Sequence, residues 1–321
     1  MKKISRLLTA LSVAALLVCM TAASAFAMSN GTGVIDYENS KVTATGIGVA
    51  PPTAVSETQR RALARRAAQG DAYRQLVETI KGVDVTSDST VELMMTTQDV
   101  VKTHVAATVK GARVVSVNYT SDGGCELTME VPMFGVTNSV ASAVMEKPAV
   151  KETFPEPVAS VAPSAPTSVS VNVTVGQGTT TPSATTPSTQ PSVTQPTKPT
   201  GSSAAAAPVG SAVGGYTGLI VDCRGLGLKP VMSPVIKNAN GQAIYGYKNL
   251  DYDKVVSNGM AGYTTDMGRA TRAGSNPLVV KAVSLDNHNG NPVISVADAN
   301  RVLIENGATG FLDKTNVVFV R

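Results

Sequence analysis

Apolar and polar residues alternate from Val42 to Val49, a strand period that ends at Pro51-Pro52. The period then changes. Leu63, Ala67, Gly70, Tyr73, Val77 and Ile80 recur three or four positions apart, which predicts one buried face of a long helix. Ser56-x-x-Gln59 has the pattern of a capping box at its start, and Gly82 supplies a stop after Lys81. Ala and Gly along that helix favour close packing on a sheet. Val83, Val85 and Val91 suggest a second strand, and Thr96-x-x-Asp99 predicts the cap of a helix reaching Lys110. Arg113–Tyr119 and Cys125–Val131 alternate cleanly and are joined through Asp122-Gly123, a hairpin signal. The order strand, helix, strand, helix, strand, strand predicts a small α/β sandwich over residues 39–150, with helices on one side of a sheet.

The pattern is different after Tyr216. Tyr216–Val221 reads as a strand, Pro230 and Pro234 frame an extended piece, and Asn240-Gly241 turns a hairpin between Val235–Lys237 and Ala243–Tyr247. Lys254–Tyr263 is expected as a strand with a bulge at Gly259, and Asp266–Arg272 as a short helix. Leu278–Ser284 is a further strand. Ser295-x-x-Asp298 predicts a helix to Asn306 that Gly307 ends, and Val317–Val320 closes the chain as a strand. Residues 216–321 are thus expected to form a β-rich α+β module.

Between them, over residues 151–215, periodicity gives way to Pro, Thr, Ser and Ala. Most of the 18 prolines of the chain fall here. Such a stretch buries too little apolar surface to offset its ordering entropy, so a disordered, semi-extended linker is expected. Val169, Val171, Val173 and Val175 alternate with polar residues inside it, as either a strand for a sheet edge or a Val-rich piece of linker.

The first 27 residues address the chain. Lys2, Lys3 and Arg6 precede an apolar run from Leu7 to Ala23, which ends in Ser24-Ala25-Phe26-Ala27. This reads as a cleaved export signal. The run falls short of the roughly 20 apolar residues that span a bilayer. Cys19 raises lipid attachment, but Val18 before it is too bulky, and Cys19 is read as part of the signal core. The expected location is therefore outside the cytoplasm, in the periplasm, at the outer membrane or on the surface, with at most peripheral membrane association.

Charge adds little. Basic residues outnumber acidic ones 27 to 23, but without Lys2, Lys3 and Arg6 the two nearly balance, which argues against nucleic acid or acidic membranes as a partner. The chain has no Trp, so base- or sugar-stacking surfaces are scarce. Cys125 and Cys223 either form a disulfide or stay as two buried thiols. Their apolar, strand-like surroundings favour the second.

Several motifs invite chemistry. Gly225-Leu-Gly227-Leu follows a strand, yet Lys229-Pro230 stands where a phosphate-binding helix would begin, so a turn is expected. Asp286-Asn-His288-Asn-Gly290-Asn291 begins like a calcium loop but has His288, Gly290 and Asn291 at positions three, five and six, which favours a polar turn. His104 and His288 have no nucleophile motif beside them. Arg60, Arg61, Arg65, Arg66 and Arg74 scatter around the long helix, with Glu57, Asp71 and Glu78 as partial partners, as on a solvated helix. No residue is put forward as catalytic, cofactor-binding or metal-binding, and no cofactor is expected.

The run Ala44-Thr-Gly-Ile-Gly-Val, the helix through Ala67, Ala68 and Ala72, and the Gly111–Val131 hairpin resemble the LPP20 lipoprotein-like domain, which is similar to the N-terminal part of flagellar assembly protein T. The run Tyr216-Thr-Gly-Leu-Ile-Val-Asp-Cys-Arg-Gly-Leu-Gly-Leu-Lys-Pro resembles a segment that accompanies this domain in other bacterial envelope proteins. The resemblance implies a non-enzymatic envelope component. The function expected is an exported scaffold that acts through protein–protein or wall contacts, its partners being envelope or surface proteins or a second copy of itself. A flagellar basal-body accessory protein and a periplasmic ligand-binding protein or hydrolase are the alternatives.

Overall fold

A computed structural model describes residues 33–158 and 211–321. The export signal and the Val169–Val175 alternation lie outside the described residues. The protein is α+β: an N-terminal sheet backed by helices, then a β-rich C-terminal unit.

The N-terminal sheet contains β1 (Gly33–Asp36), β2 (Lys41–Val49), β5 (Arg113–Tyr119) and β6 (Gly124–Pro132), in the antiparallel order β1-β2-β6-β5. Helix α1 (Glu57–Lys81) lies across β2 and β6. Its buried line is Ala64, Ala68, Ala72, Leu76 and Ile80, one step round from the face predicted from the larger side chains. The cause lies in the strand beneath. A Cβ on Gly46 or Gly48 would overlap the α1 backbone at Ala72 and Ala68. Two glycines and three alanines thus bring helix and strand backbones into direct contact, and Tyr73 and Val77 flank the seam. The cap is also modified: the Ser56 hydroxyl accepts from the Gln59 N–H, but the Gln59 side chain accepts from Val55 rather than from Ser56.

The predicted second strand is a separate short hairpin, β3 (Asp84–Thr86) and β4 (Ser89–Thr90). Two helices follow where one is expected, α2 (Val91–Thr97) and α3 (Asp99–Lys110). Thr90 caps α2, whereas Thr96 turns its hydroxyl back to the Glu92 carbonyl, so α3 opens without a side-chain cap. A short α4 (Val140–Val144) closes the unit with a capping box of Ser139 and Ser142.

The C-terminal sheet has the order β10-β13-β7-β11-β12-β8-β9. Strands β7 (Gly218–Asp222), β10 (Gly262–Thr264), β13 (Val317–Val320) and the first half of β11 (Pro277–Asp286) run parallel. A bulge at Val283 turns the second half of β11 onto β12 (Asn291–Ile294), which leads to β8 (Ile236–Asn238) and β9 (Ala243–Tyr245).

The expected strand over Lys254–Tyr263 is instead helix α5 (Tyr252–Asn258) followed by β10. Asp251 caps α5 by accepting from Lys254, and Gly259, at φ 75° and ψ 169°, ends it in an extended positive-φ conformation open to glycine rather than forming a bulge. Residues 266–273 form two 3-10 turns, not one helix. Helix α6 (Val296–Thr309) passes through Gly307 and stops at Gly310, whose φ of 66° supplies the left-handed cap.

The two units share one hydrophobic core. Tyr37 meets Tyr263 edge-on at 6.0 Å, and Tyr263 in turn packs on Phe319. The Met232 and Ser233 N–H groups donate to the Asp84 and Val85 carbonyls, which adds a C-terminal segment to the β3 edge. Phe134 lies over Gly259, where a Cβ would stand 2.7 Å from its ring. Residues 145–158 then run along the C-terminal unit as a strap. Tyr252 and Tyr247 donate to the Met145 and Glu146 carbonyls, Asn249 to the Thr153 carbonyl, and Phe154 stacks on Tyr245. Both ends of the span 159–210 are held by α6: Asn300 bonds the Val158 backbone twice, and Glu305 accepts from the Val213 and Gly214 N–H groups. The linker read from composition over 151–215 is therefore shorter at both ends, since 151–158 and 211–215 are described and packed on the C-terminal unit. The strap adds a tie between the units, and the described residues on either side of 159–210 are both held by one helix.

Candidate interaction surfaces

Three places stand out on this frame. The first is the open edge of the N-terminal sheet. Strand β5 has no neighbour beyond it among the described residues, and Val114, Val115 and Tyr119 are exposed along it. A bulge at Val115 breaks its register with β6, so the regular part of the edge is Ser116–Tyr119. The outer face of the same sheet is polar around Glu130, with Ile47 and Val49 exposed further along β2. Glu130 takes Lys41 at 3.3 Å and Arg113 at 2.7 Å, and these cations hold its carboxyl below its usual range against the opposing effect of burial, while Thr45 and Thr128 hydrogen-bond across the strands.

The second is a cleft of about 570 Å³ between the two units. The β3–β4 turn (Ser87, Asp88), the strap (Glu152, Thr153) and the C-terminal residues Tyr247, Asn249, Asn287 and Asn291 line it. Asp88 accepts from Asn287 and sits 3.3 Å from the His288 ring. Burial pushes the Tyr247 hydroxyl up to about 12. The Ser87 hydroxyl is enclosed without a hydrogen-bond partner among the described residues, beneath Gly290, where a Cβ would stand 2.6 Å away.

The third is the tip of the N-terminal unit, where the β2–α1 loop meets the β5–β6 turn around a hollow of about 780 Å³. Arg60 donates to the Ala54 carbonyl, and Arg61 pairs with Glu57 and lies over the Tyr119 ring. Arg65 stands near enough to Cys125 to act on its thiol, although burial dominates and raises it.

The motifs singled out in the sequence are accounted for by local geometry. Gly225 and Gly227 take φ of 80° and 78°, no helix follows them, and Leu228 is buried: this is a turn. Asp286–Asn291 joins β11 to β12 through three successive left-handed residues, Asn287, His288 and Asn289, with Asp286 bound to Lys237 at 2.6 Å. His104 is exposed on α3. Arg74 pairs with Asp71, whose carboxyl is lowered first by the Ile47 N–H and then by Arg74. Cys125 and Cys223 are buried as free thiols in different sheets, and burial pushes Cys223 up to about 12. The sequence does not reveal the cleft, since its walls come from segments far apart in the chain.

A model described as the LPP20 lipoprotein matches residues 39–131, which bears out the resemblance of this stretch to the LPP20-like domain. A second, described as Treponema pallidum Tp0624, second domain, matches residues 218–321. No curated protein matches the chain. The first match is in keeping with an exported, envelope-associated protein. No helix among the described residues is long and apolar enough to cross a membrane.

Proposed function

We propose that the protein is a non-enzymatic scaffold of the cell envelope, acting through protein–protein contacts at the β5 edge. One observation carries this reading: every residue of β5 except Val117 is exposed, and Val114, Val115 and Tyr119 form an apolar fringe beside backbone groups that have no strand partner among the described residues. An open strand edge is a template for a further strand. The bulge restricts pairing to Ser116–Tyr119, which suits a short, specific contact rather than open-ended polymerisation. Light scattering on the whole mature chain over a range of concentrations tests this, with Val117→Pro as the edge-blocking variant. Concentration-dependent association that Val117→Pro removes supports it. A monomer at all concentrations that also retains no envelope protein speaks against it.

The cleft supports a second reading, a binding protein for a small ligand. The shared core fixes the cleft walls relative to one another, which removes the objection a slack tether would raise. Its lining mixes amides and hydroxyls with apolar residues such as Pro155 and Val235, which suits a ligand with both hydrogen-bonding and apolar groups. A thermal-shift screen of polar metabolites and wall fragments checks this reading, and a flat response across the screen counts against it.

A further inference from the structure

Strand β5 is unfinished on both of its faces. Its register with β6 puts Val114, Val117 and Tyr119 opposite Met129, Leu127 and Cys125, which are buried on the helix side of the sheet. The same register puts Ser116 and Asn118 opposite Thr128 and Glu126 on the outer side. Helix α1 covers β2 and β6, whereas Val114 and Tyr119 beyond them are 39% and 44% exposed. A strand that completes this edge needs apolar residues at every second position for the helix side, with polar residues between them for the outer side. The other sheet edges differ. Strands β9 and β10, which border the C-terminal sheet, are three residues long. Strand β1 ends at Asp36 and runs into the turn where Tyr37 meets Tyr263 and Glu38 pairs with Arg269. The sequence holds one run with the required pattern outside the described residues, Val169-Ser-Val-Asn-Val-Thr-Val175. Pro163 and Pro166 before it and Gly176 and Gly178 after it confine the alternation to this run. Val and Thr favour strands, and the run carries no charge to oppose Glu126 or Glu130.

We infer that the occupant of the β5 edge is the Val169–Val175 segment of a second copy of this chain, added as a further strand. Along Ser116–Tyr119, its valines continue the apolar side of Val117 and Tyr119, and Ser170, Asn172 and Thr174 continue the polar side of Ser116 and Asn118. The inference rests on the reading of β5 as the contact edge, and it names what the edge takes. Chain length permits the exchange. Val158 is held by Asn300, and the residues 159–168 that separate it from Val169 reach about 35 Å when extended. That anchor belongs to the C-terminal unit. Strand β5 is the edge opposite β1, and the β1–β2 turn is what meets the C-terminal unit through Tyr37 and Glu38, which directs the segment to another molecule rather than to its own edge. Each copy carries one edge and one segment, so reciprocal exchange closes a two-fold dimer with two added strands.

The test is light scattering on two variants of the whole mature chain: Val117→Pro, which blocks the edge, and the double variant Val171→Asp, Val173→Asp, which spoils the segment. Each alone should associate more than tenfold more weakly than the parent chain. An equimolar mixture should regain association, because one copy still offers a segment and the other an edge. A fluorescent peptide of residues 167–176 should bind the double variant in an anisotropy titration, and Val117→Pro more than tenfold more weakly. If Val117→Pro folds poorly, the double variant and the peptide decide, since Val171 and Val173 lie outside the two folded units. Association that survives in the double variant but not in Val117→Pro would overturn the inference and leave the edge reading standing. A mixture no better than its components overturns it too. A monomeric parent chain whose double variant takes up the peptide would put the segment on its own edge, which also overturns it. A monomeric parent chain whose double variant ignores the peptide would remove the edge reading and the inference together.

Discussion

Phe154 lies flat against Tyr245, with ring centroids 6.4 Å apart and planes within 2° of parallel. The pair joins a segment that composition assigns to a linker to a fully buried side chain of the C-terminal sheet. Tyr245 is itself fixed, since its hydroxyl donates to the Met260 carbonyl at 2.6 Å. Phe154→Ala removes the aromatic contact and the burial of one half-buried ring, a loss of about 2 kcal/mol. Calorimetry should show a lower Tm, and proteolysis should begin within 145–158. Unchanged resistance to protease would mean the strap is held by its hydrogen bonds alone.

The seam between β2 and α1 predicts opposite outcomes for three glycines. Gly46→Ala and Gly48→Ala each force a methyl group into the α1 backbone and should cost about 3 kcal/mol or more, enough to abolish soluble expression. Gly70→Ala, on the open side of the same helix with nothing within 4 Å, should stabilise by about 0.5–1 kcal/mol. Chemical denaturation of the three variants is the check, and a destabilised Gly70→Ala would contradict the packing.

Arg272 spends its guanidinium on the fold. It donates to the carbonyls of Asn258, Gly259 and Thr315 and to the Thr315 hydroxyl, all between 2.6 and 2.9 Å. It thereby fastens the end of α5 to the loop before β13. Arg272→Ala should cost about 3 kcal/mol, and Arg272→Lys most of that, because a single ammonium cannot span the same acceptors. Equal melting of Arg272→Lys and the parent chain would refute this.

Because Val158 and Val213–Gly214, on either side of 159–210, are held by Asn300 and Glu305, five residues apart on one helix, a short link can replace the span between them. Those anchor points are separated by only about 8 Å along the axis. Replacing the span by roughly eight Gly and Ser residues should preserve the fold and raise stability by about 1–2 kcal/mol through loop closure. Loss of the melting transition would show that the excised residues are needed for folding.

Asp84 predicts a pH effect. Burial raises its carboxyl, and Lys229 only partly offsets this. A carboxyl raised on folding favours the folded state below its unfolded value, near 3.9, and loses that contribution as pH climbs through the folded value. Asp84→Asn keeps the backbone bonds to Tyr37 and Met232. The variant should melt higher than the parent chain at pH 7 and show no such gain at pH 3. A pH-independent difference in Tm would rule out this cause.

How much of the fold is legible in the sequence depends on whether local chemistry decides the outcome. The Ser295 cap, the Asn240-Gly241 hairpin turn and the Asp122-Gly123 turn each act within a few residues, and each stands where the sequence places it. The buried face of α1 is harder to read. Large side chains mark a helix face only when the opposing surface has room for them, and Gly46 and Gly48 leave room for alanine alone. The valines of Lys254–Tyr263 favour a strand, but the Asp251 cap and the positive φ of Gly259 outweigh that propensity. Helix α6 runs past Gly307 because its stop is set by Gly310, where the backbone turns left-handed. The interaction surfaces are the least legible. The cleft and the shared core depend on how distant segments meet, and composition alone does not show that residues 151–158 pack on the C-terminal unit.

The shared core also changes what the protein does under load. Two bodies on a slack line would let either one drift while the other is held. Here the strap and the Tyr37–Tyr263 contact make a single stiff arm. Tension applied at one end is delivered to the other without first taking up slack.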